Sequence, residues 1–212
     1  MSILENTKIS KSDEQNTIGV SHKIMGFVGG HKVMVKSTEG QPQEALAEHF
    51  AYQLGSRIGL NVNQVEVIDC GNELDTKLDP ICTVHWWEDD FIIYRHYENE
   101  ESVYDKSLRK FFDVLLDNDD RHGSNYGFLN DEIFFIDHGC CYPWAEMTKP
   151  EKEKLCKYAE EIPDTVSDFL KLEKTDFENM LDISVYDFSS KNNCIVKRML
   201  EAQKALEEAL CH

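Results

Sequence analysis

Apolar residues recur at helical spacing through residues 108–116 (Leu108, Phe111, Phe112, Leu115, Leu116), so a buried helix is expected to end where a polar cluster begins at Asp117. Beyond that cluster, residues 126–129 and 133–136 are two short apolar runs separated by Asn130-Asp131, the pattern of a tight hairpin. Upstream, residues 17–26 and 27–36 read as two antiparallel strands turning at Gly29-Gly30. A helix follows over 44–58, with Leu46, Phe50, Leu54 and Ile58 on one stripe and Gly59 as its stop. Residues 61–69, 81–86 and 91–94 are three further strand candidates, and 71–80 is a polar loop. With the first hairpin they make an antiparallel sheet of about five strands carrying one helix. After the second hairpin the pattern is helical: short amphipathic segments over 151–160, 166–172 and 177–181, then a longer one over 194–210. The class is therefore α+β, with a sheet-rich first part and a mostly helical second part. Residues 1–15 are polar and read as a flexible arm or a capping strand.

Composition narrows the function. The 212 residues, 41% of them hydrophobic, suffice for one large domain or two small lobes with a real core. A net charge of -18 argues against nucleic-acid partners and anionic membrane surfaces, and weakly favours a basic protein substrate. No apolar run approaches a membrane span, and the polar first residues are unlike a signal peptide. Seven scattered cysteines without zinc spacing read as reduced thiols, so a cytoplasmic setting is expected.

The chemistry concentrates in residues 117–139. Helix, loop and hairpin bring Asp120, Asn125 and Asp137 to one place. Two carboxylates and an amide suit a hard cation such as Mg2+, which combines a few protein oxygens with waters and phosphate oxygens. One Asp more than the metal needs can accept a proton from an attacking hydroxyl. Those are the requirements of phosphoryl transfer from a nucleotide.

Asp120-Arg121-His122-x-x-Asn125, followed by Ile136-Asp137-x-Gly139, resembles the catalytic and metal loops of the atypical kinases, the group that joins phosphoinositide 3- and 4-kinases with HipA-type bacterial serine/threonine kinases. Asn118-Asp119-Asp120-Arg121-His122 is closer to the HipA version; Phe135-Ile136-Asp137-His138-Gly139 is closer to the lipid-kinase version, which has Phe where His138 stands. The resemblance covers roughly residues 19–139 and implies a two-lobed protein-kinase-like fold. A sheet lobe with one helix would span 16–96 and a mostly helical lobe 97–212.

It also implies ATP and Mg2+ as cofactors. Asp120 is then the catalytic base, Arg121 and His122 organise its loop, and Asn125 and Asp137 are metal ligands. Lys36, ending a strand, would contact the nucleotide phosphates, braced by Glu48 or by Glu44 one helical turn earlier. The loop 19–23, with Ser21 and Lys23, resembles a phosphate-covering loop. Residues 94–97, with Tyr94 and His96, would be the hinge whose backbone meets adenine. The favoured acceptor is a serine or threonine hydroxyl on a protein, with autophosphorylation at Thr17 or Ser21. A lipid or small-molecule acceptor, transfer of AMP rather than phosphate by the same fold, and a catalytically silent nucleotide-binding or interaction module are the alternatives. The segment after Gly139 (Cys140, Cys141, Tyr142, Pro143, Trp144) is aromatic rather than basic, which counts against an inositol phosphate.

Overall fold

The structure, a computed structural model, describes residues 9–11, 22–70, 74 and 77–211. Strand β1 (Ser10–Lys11) lies at the edge of a sheet whose first hairpin is β2 (Lys23–Val28) and β3 (His31–Ser37), joined through Gly29 and Gly30 at positive φ. Helix α1 (Pro42–Arg57) follows, starting on a proline whose missing N–H costs nothing at that position. Its stripe of Leu46, Phe50 and Leu54 is fully buried. Gly59, at φ 76°, turns the chain out of the helix while Leu60 N donates back to Gly55 O at 2.8 Å.

Strands β4 (Asn61–Val62), β5 (Val65–Asp69), β6 (Ile81–Trp86) and β7 (Ile92–Ile93) come next. The sheet order is β1-β2-β3-β6-β5, antiparallel throughout. Helix α2 (Val103–Leu116) leads to the second hairpin, β8 (Tyr126–Leu129) and β9 (Glu132–Phe135). Four helices complete the chain: α3 (Lys149–Ala159), α4 (Pro163–Leu170), α5 (Lys174–Met180) and α6 (Ser189–Leu210). The architecture is α+β and two-lobed, an antiparallel sheet with one helix beside a mostly helical lobe.

Two strand expectations need correction. The 61–69 run divides at Asn63-Gln64: β5 stays in the five-stranded sheet, whereas β4 pairs parallel to β9. Residues 91–94 contribute only β7, which pairs antiparallel to β8. The result is a second sheet, β4-β9-β8-β7, built from both halves of the chain. Apolar alternation specifies a strand but not its partner, so it cannot reveal a run that changes sheets. At Gly127 a Cβ would overlap the Ile92 carbonyl, so the β7–β8 approach needs glycine there.

One buried core joins α1, α2, the second sheet and the helical lobe. Within it Arg198 of α6 is 1% exposed. Its guanidinium donates to Val114 O (2.6 Å), Leu115 O (2.9 Å), Ala145 O (3.1 Å) and Glu151 Oε1 (2.6 Å). It thereby caps the last carbonyls of α2 and ties them to the start of α3, where Thr148 and Glu151 form a capping box. Among the described residues, no helix is long and apolar enough to cross a membrane. All seven cysteines are free thiols.

Candidate active site

Helix α2 ends on Asp117 in the left-handed region (φ 52°), where Asn118 N donates to Asp113 O and the chain reverses into the loop 117–125. Arg121 holds that loop from inside. Its Nε donates to Asp113 Oδ1 at 2.8 Å, and its Nη1 to Asn125 O (2.6 Å) and Ile136 O (3.2 Å). Asp113 was missed in the sequence; the available signal was a carboxylate in a nearly apolar stretch of helix. Burial pushes its pKa up and the Arg121 charge opposes that rise.

Asn125 is 1% exposed. Its Oδ1 accepts from His122 N at 2.9 Å, and its Nδ2 donates to the Asp120 carbonyl. Ser124 N donates to His122 Nδ1, so the His122 proton sits on Nε2, 3.9 Å from Asp120 Oδ2. The Asp120 side chain is half exposed.

Across the cleft, Lys36 Nζ stands between two carboxylates, 3.0 Å from Glu48 Oε1 and 2.5 Å from Asp137 Oδ1. Glu48 also accepts the His138 N–H through Oε2 at 2.8 Å. One helix residue therefore holds both the strand lysine and the loop carrying Asp137. Glu44 lies beside this group, with Oε2 3.6 Å from where a Gly139 Cβ would stand, and burial pushes its pKa up. Glu48, not Glu44, pairs with Lys36.

Burial opposes the Lys36 charge, yet the two carboxylates outweigh it and hold its pKa above the ordinary lysine value. Burial likewise opposes ionisation of Asp137, but Lys36 brings its pKa down to about 2. Asp137 is at φ 58°, and half of its side chain remains exposed. Its neighbour His138 is 1% exposed and packs edge-on against Phe112 at 5.6 Å; burial holds it neutral.

Lys23 lies opposite Lys36 in the β2–β3 register, and burial and the Lys36 charge lower its pKa. Ser21 and Thr17 lie outside the described residues. Lys23, Lys36 and Asp137 close one end of a cavity of about 370 Å³ whose other end is formed by Met34, Trp86, Trp87, Phe91 and Phe134. Tyr94 and His96 are not in that lining. Tyr94 stacks on Tyr126 at 4.8 Å and His96 is exposed. The chain leaves the five-stranded sheet at Trp86, and the segment 86–89, with Phe91 and Ile93, lines the cavity.

The donor set suits a hard cation. Asp137 offers an ionised carboxylate, and Asn125 Oδ1 keeps a lone pair beyond the one given to His122 N. Among the described residues no group of three or more His, Cys, Asp or Glu side chains could hold a metal. A cation here would draw its remaining ligands from waters and phosphate oxygens, the habit of Mg2+.

No protein-family model matches the chain, and no curated protein matches it. The crystal structure of a Helicobacter pylori proinflammatory kinase, CtkA, is similar, with a TM-score of 0.62 and 17% identity over 96% of this chain and 97% of that one. HipA of a Shewanella oneidensis MR-1 toxin–antitoxin system, solved with HipB and operator DNA, aligns at a TM-score of 0.45 and 10% identity over 99% of this chain and 74% of that one. The fold is that of a two-lobed, protein-kinase-like α+β protein.

Proposed function

We propose that this chain is an ATP- and Mg2+-dependent phosphotransferase of the HipA-like atypical group, acting on a serine or threonine hydroxyl of a protein. The observation that carries the reading is Lys36 held between Glu48 and Asp137 at the edge of the cavity. The fold shared with a protein described as a kinase supports it. The lobes would divide near residue 96.

Lys36 holds the nucleotide phosphates. Its charge persists across physiological pH because both carboxylates raise its pKa against burial. Glu48 keeps its ammonium in place and, through His138 N, keeps the Asp137 loop in register with it. Asp137 and Asn125 would hold Mg2+, which supplies neutralisation of phosphate charge. Asp120 accepts the proton of the acceptor hydroxyl, and its carboxylate has an exposed side for the acceptor to approach. Arg121 and Asn125 hold the backbone of that loop, so positioning is set before substrate arrives.

The acidic surface favours a basic acceptor protein, and Tyr142, half exposed beside the loop, offers an aromatic rather than a cationic edge. Autophosphorylation at Thr17 or Ser21 follows from the resemblance; site mapping after ATP incubation that finds neither modified removes it.

The deciding experiment incubates wild type and Asp120→Asn with labelled ATP and Mg2+, with and without a generic basic protein. Label on protein with wild type, reduced about 10²- to 10⁴-fold in the variant, is the expected result. Label transferred only to a lipid or small molecule would reassign the acceptor. Absence of any ATP binding by calorimetry would overturn the reading.

A further inference from the structure

Along β6, from opposite Lys36 toward the aromatic end of the cavity, three buried polar side chains are bonded in series. Thr83 Oγ1 is 2.9 Å from His85 Nε2, and His85 Nδ1 is 3.2 Å from Asn63 Oδ1. Asn63 Nδ2 donates to the Trp86 carbonyl at 2.7 Å. All three residues are under 9% exposed, Thr83 least at 2%. The terminal carbonyl fixes every direction in the series. Trp86 O can only accept, so Asn63 turns its nitrogen toward it and its oxygen toward His85. That oxygen in turn requires the proton on His85 Nδ1. The neutral ring favoured by burial then leaves Nε2 to accept from the Thr83 hydroxyl.

Both ring nitrogens are thus consumed, and the relay spends its polarity on the backbone of Trp86. His85, Asn63, Trp86 and Trp87 all line the cavity. Asn63 has a second attachment, its backbone N donating to Phe135 O at 2.9 Å. Phe135 stands two residues before Asp137 at the opposite end of the cavity. One residue, at the point where the 61–69 run changes sheets, therefore links the strand that delivers Asp137 to the segment 86–89.

We propose that Thr83, His85 and Asn63 are positioning residues for the nucleotide base: their relay fixes the Trp86 carbonyl and, with it, the segment against which a purine lies. The proposal rests on the phosphotransferase reading above. It specifies which side chains make the base end of the cavity rigid, a task that needs no contact between His85 and the nucleotide.

The test is calorimetric titration of wild type, Asn63→Asp and His85→Phe with ATP and with inorganic tripolyphosphate, each with Mg2+. Tripolyphosphate carries the phosphate charge without a base, so the ratio of the two affinities isolates the base end, and any unfolded fraction cancels. Asn63→Asp keeps the shape and the acceptor toward His85 but loses the donor to Trp86 O. His85→Phe keeps a ring and loses both links. Each variant is expected to lose about tenfold of the preference for ATP, the worth of one net hydrogen bond, with tripolyphosphate affinity unchanged. An unchanged preference in both variants overturns the proposal, because the relay would then be packing alone. A parallel loss for both ligands also overturns it, placing the effect in the phosphate end or in the fold. Wild type that binds both ligands without preference sinks the proposal and spares the reading; wild type that binds neither sinks both.

Discussion

Arg198 and Lys36 are both buried cations held by several oxygens, and they do opposite things. Arg198 satisfies four of its N–H groups with three carbonyls and Glu151, inside the helical lobe. Lys36 sits between Glu48 and Asp137 at the cleft, where the Glu48 side chain is 2% exposed and that of Asp137 is 51% exposed. Arg198 has one carboxylate among its partners and Lys36 has two. Backbone carbonyls capped by a planar fork leave Arg198 one geometry. A compact ammonium with one half-solvated carboxylate can exchange that partner for an anion without unmaking the fold. Exposure of the partner, more than burial of the cation, separates scaffold from candidate site.

The comparison breaks most visibly at Lys36. Lys36→Met should lower phosphoryl transfer about 10²- to 10³-fold, the effect of removing one preorganised charge-stabilising donor. Its melting temperature should shift less than that of Arg198→Met; a matched kinetic and calorimetric series checks both. Arg198→Met should cost about 3 kcal/mol by stranding carbonyls and Glu151, lowering Tm by about 6–12 °C in a scanning experiment. Activity per folded molecule, measured well below that Tm, should fall far less than in Lys36→Met.

The third test uses acid. Asp137 has its pKa depressed from 3.8 to about 2, so its contribution is fully present above pH 4 and is lost as pH falls through 2. With half its side chain in solvent the screened contribution is about 1 kcal/mol. Urea unfolding from pH 5 to 2 should show wild type losing that much more than Lys36→Met, which lacks the pair. The smallest effect belongs to Glu44→Gln, expected to change turnover by less than about threefold and stability by less than about 0.5 kcal/mol. A loss approaching that of Glu48→Gln would mean that Glu44 shares the lysine.

Much of this was legible in the chain. Period and turn chemistry located α1, α2 and both hairpins, because each repeats its apolar face over several positions. The order of Lys36, the 117–125 loop and Asp137 could be read because those residues lie at element ends. Glu48 and Glu44 could not be separated: one turn apart, they share a helix face, and only the β3 register decides which reaches Lys36. Arg198 gave no signal, since its partners are mostly carbonyls, which every residue possesses. The lining of the cavity by 86–89 was hidden for a related reason: nothing in the 91–94 run says that it leaves one sheet for another.

The β4–β9 pairing has a consequence for synthesis. Asn61 and Val62 wait for Phe134 and Phe135, and Ile92 and Ile93 wait for Phe128 and Gly127. At about 5–20 residues per second, β4 would emerge roughly 4–15 seconds before its partner exists. A nascent chain stopped before the second hairpin therefore exposes unpaired strand edges on an otherwise assembled first sheet. The first lobe cannot leave the ribosome finished: its β4 and β7 edges are closed only by a hairpin from the second half of the chain.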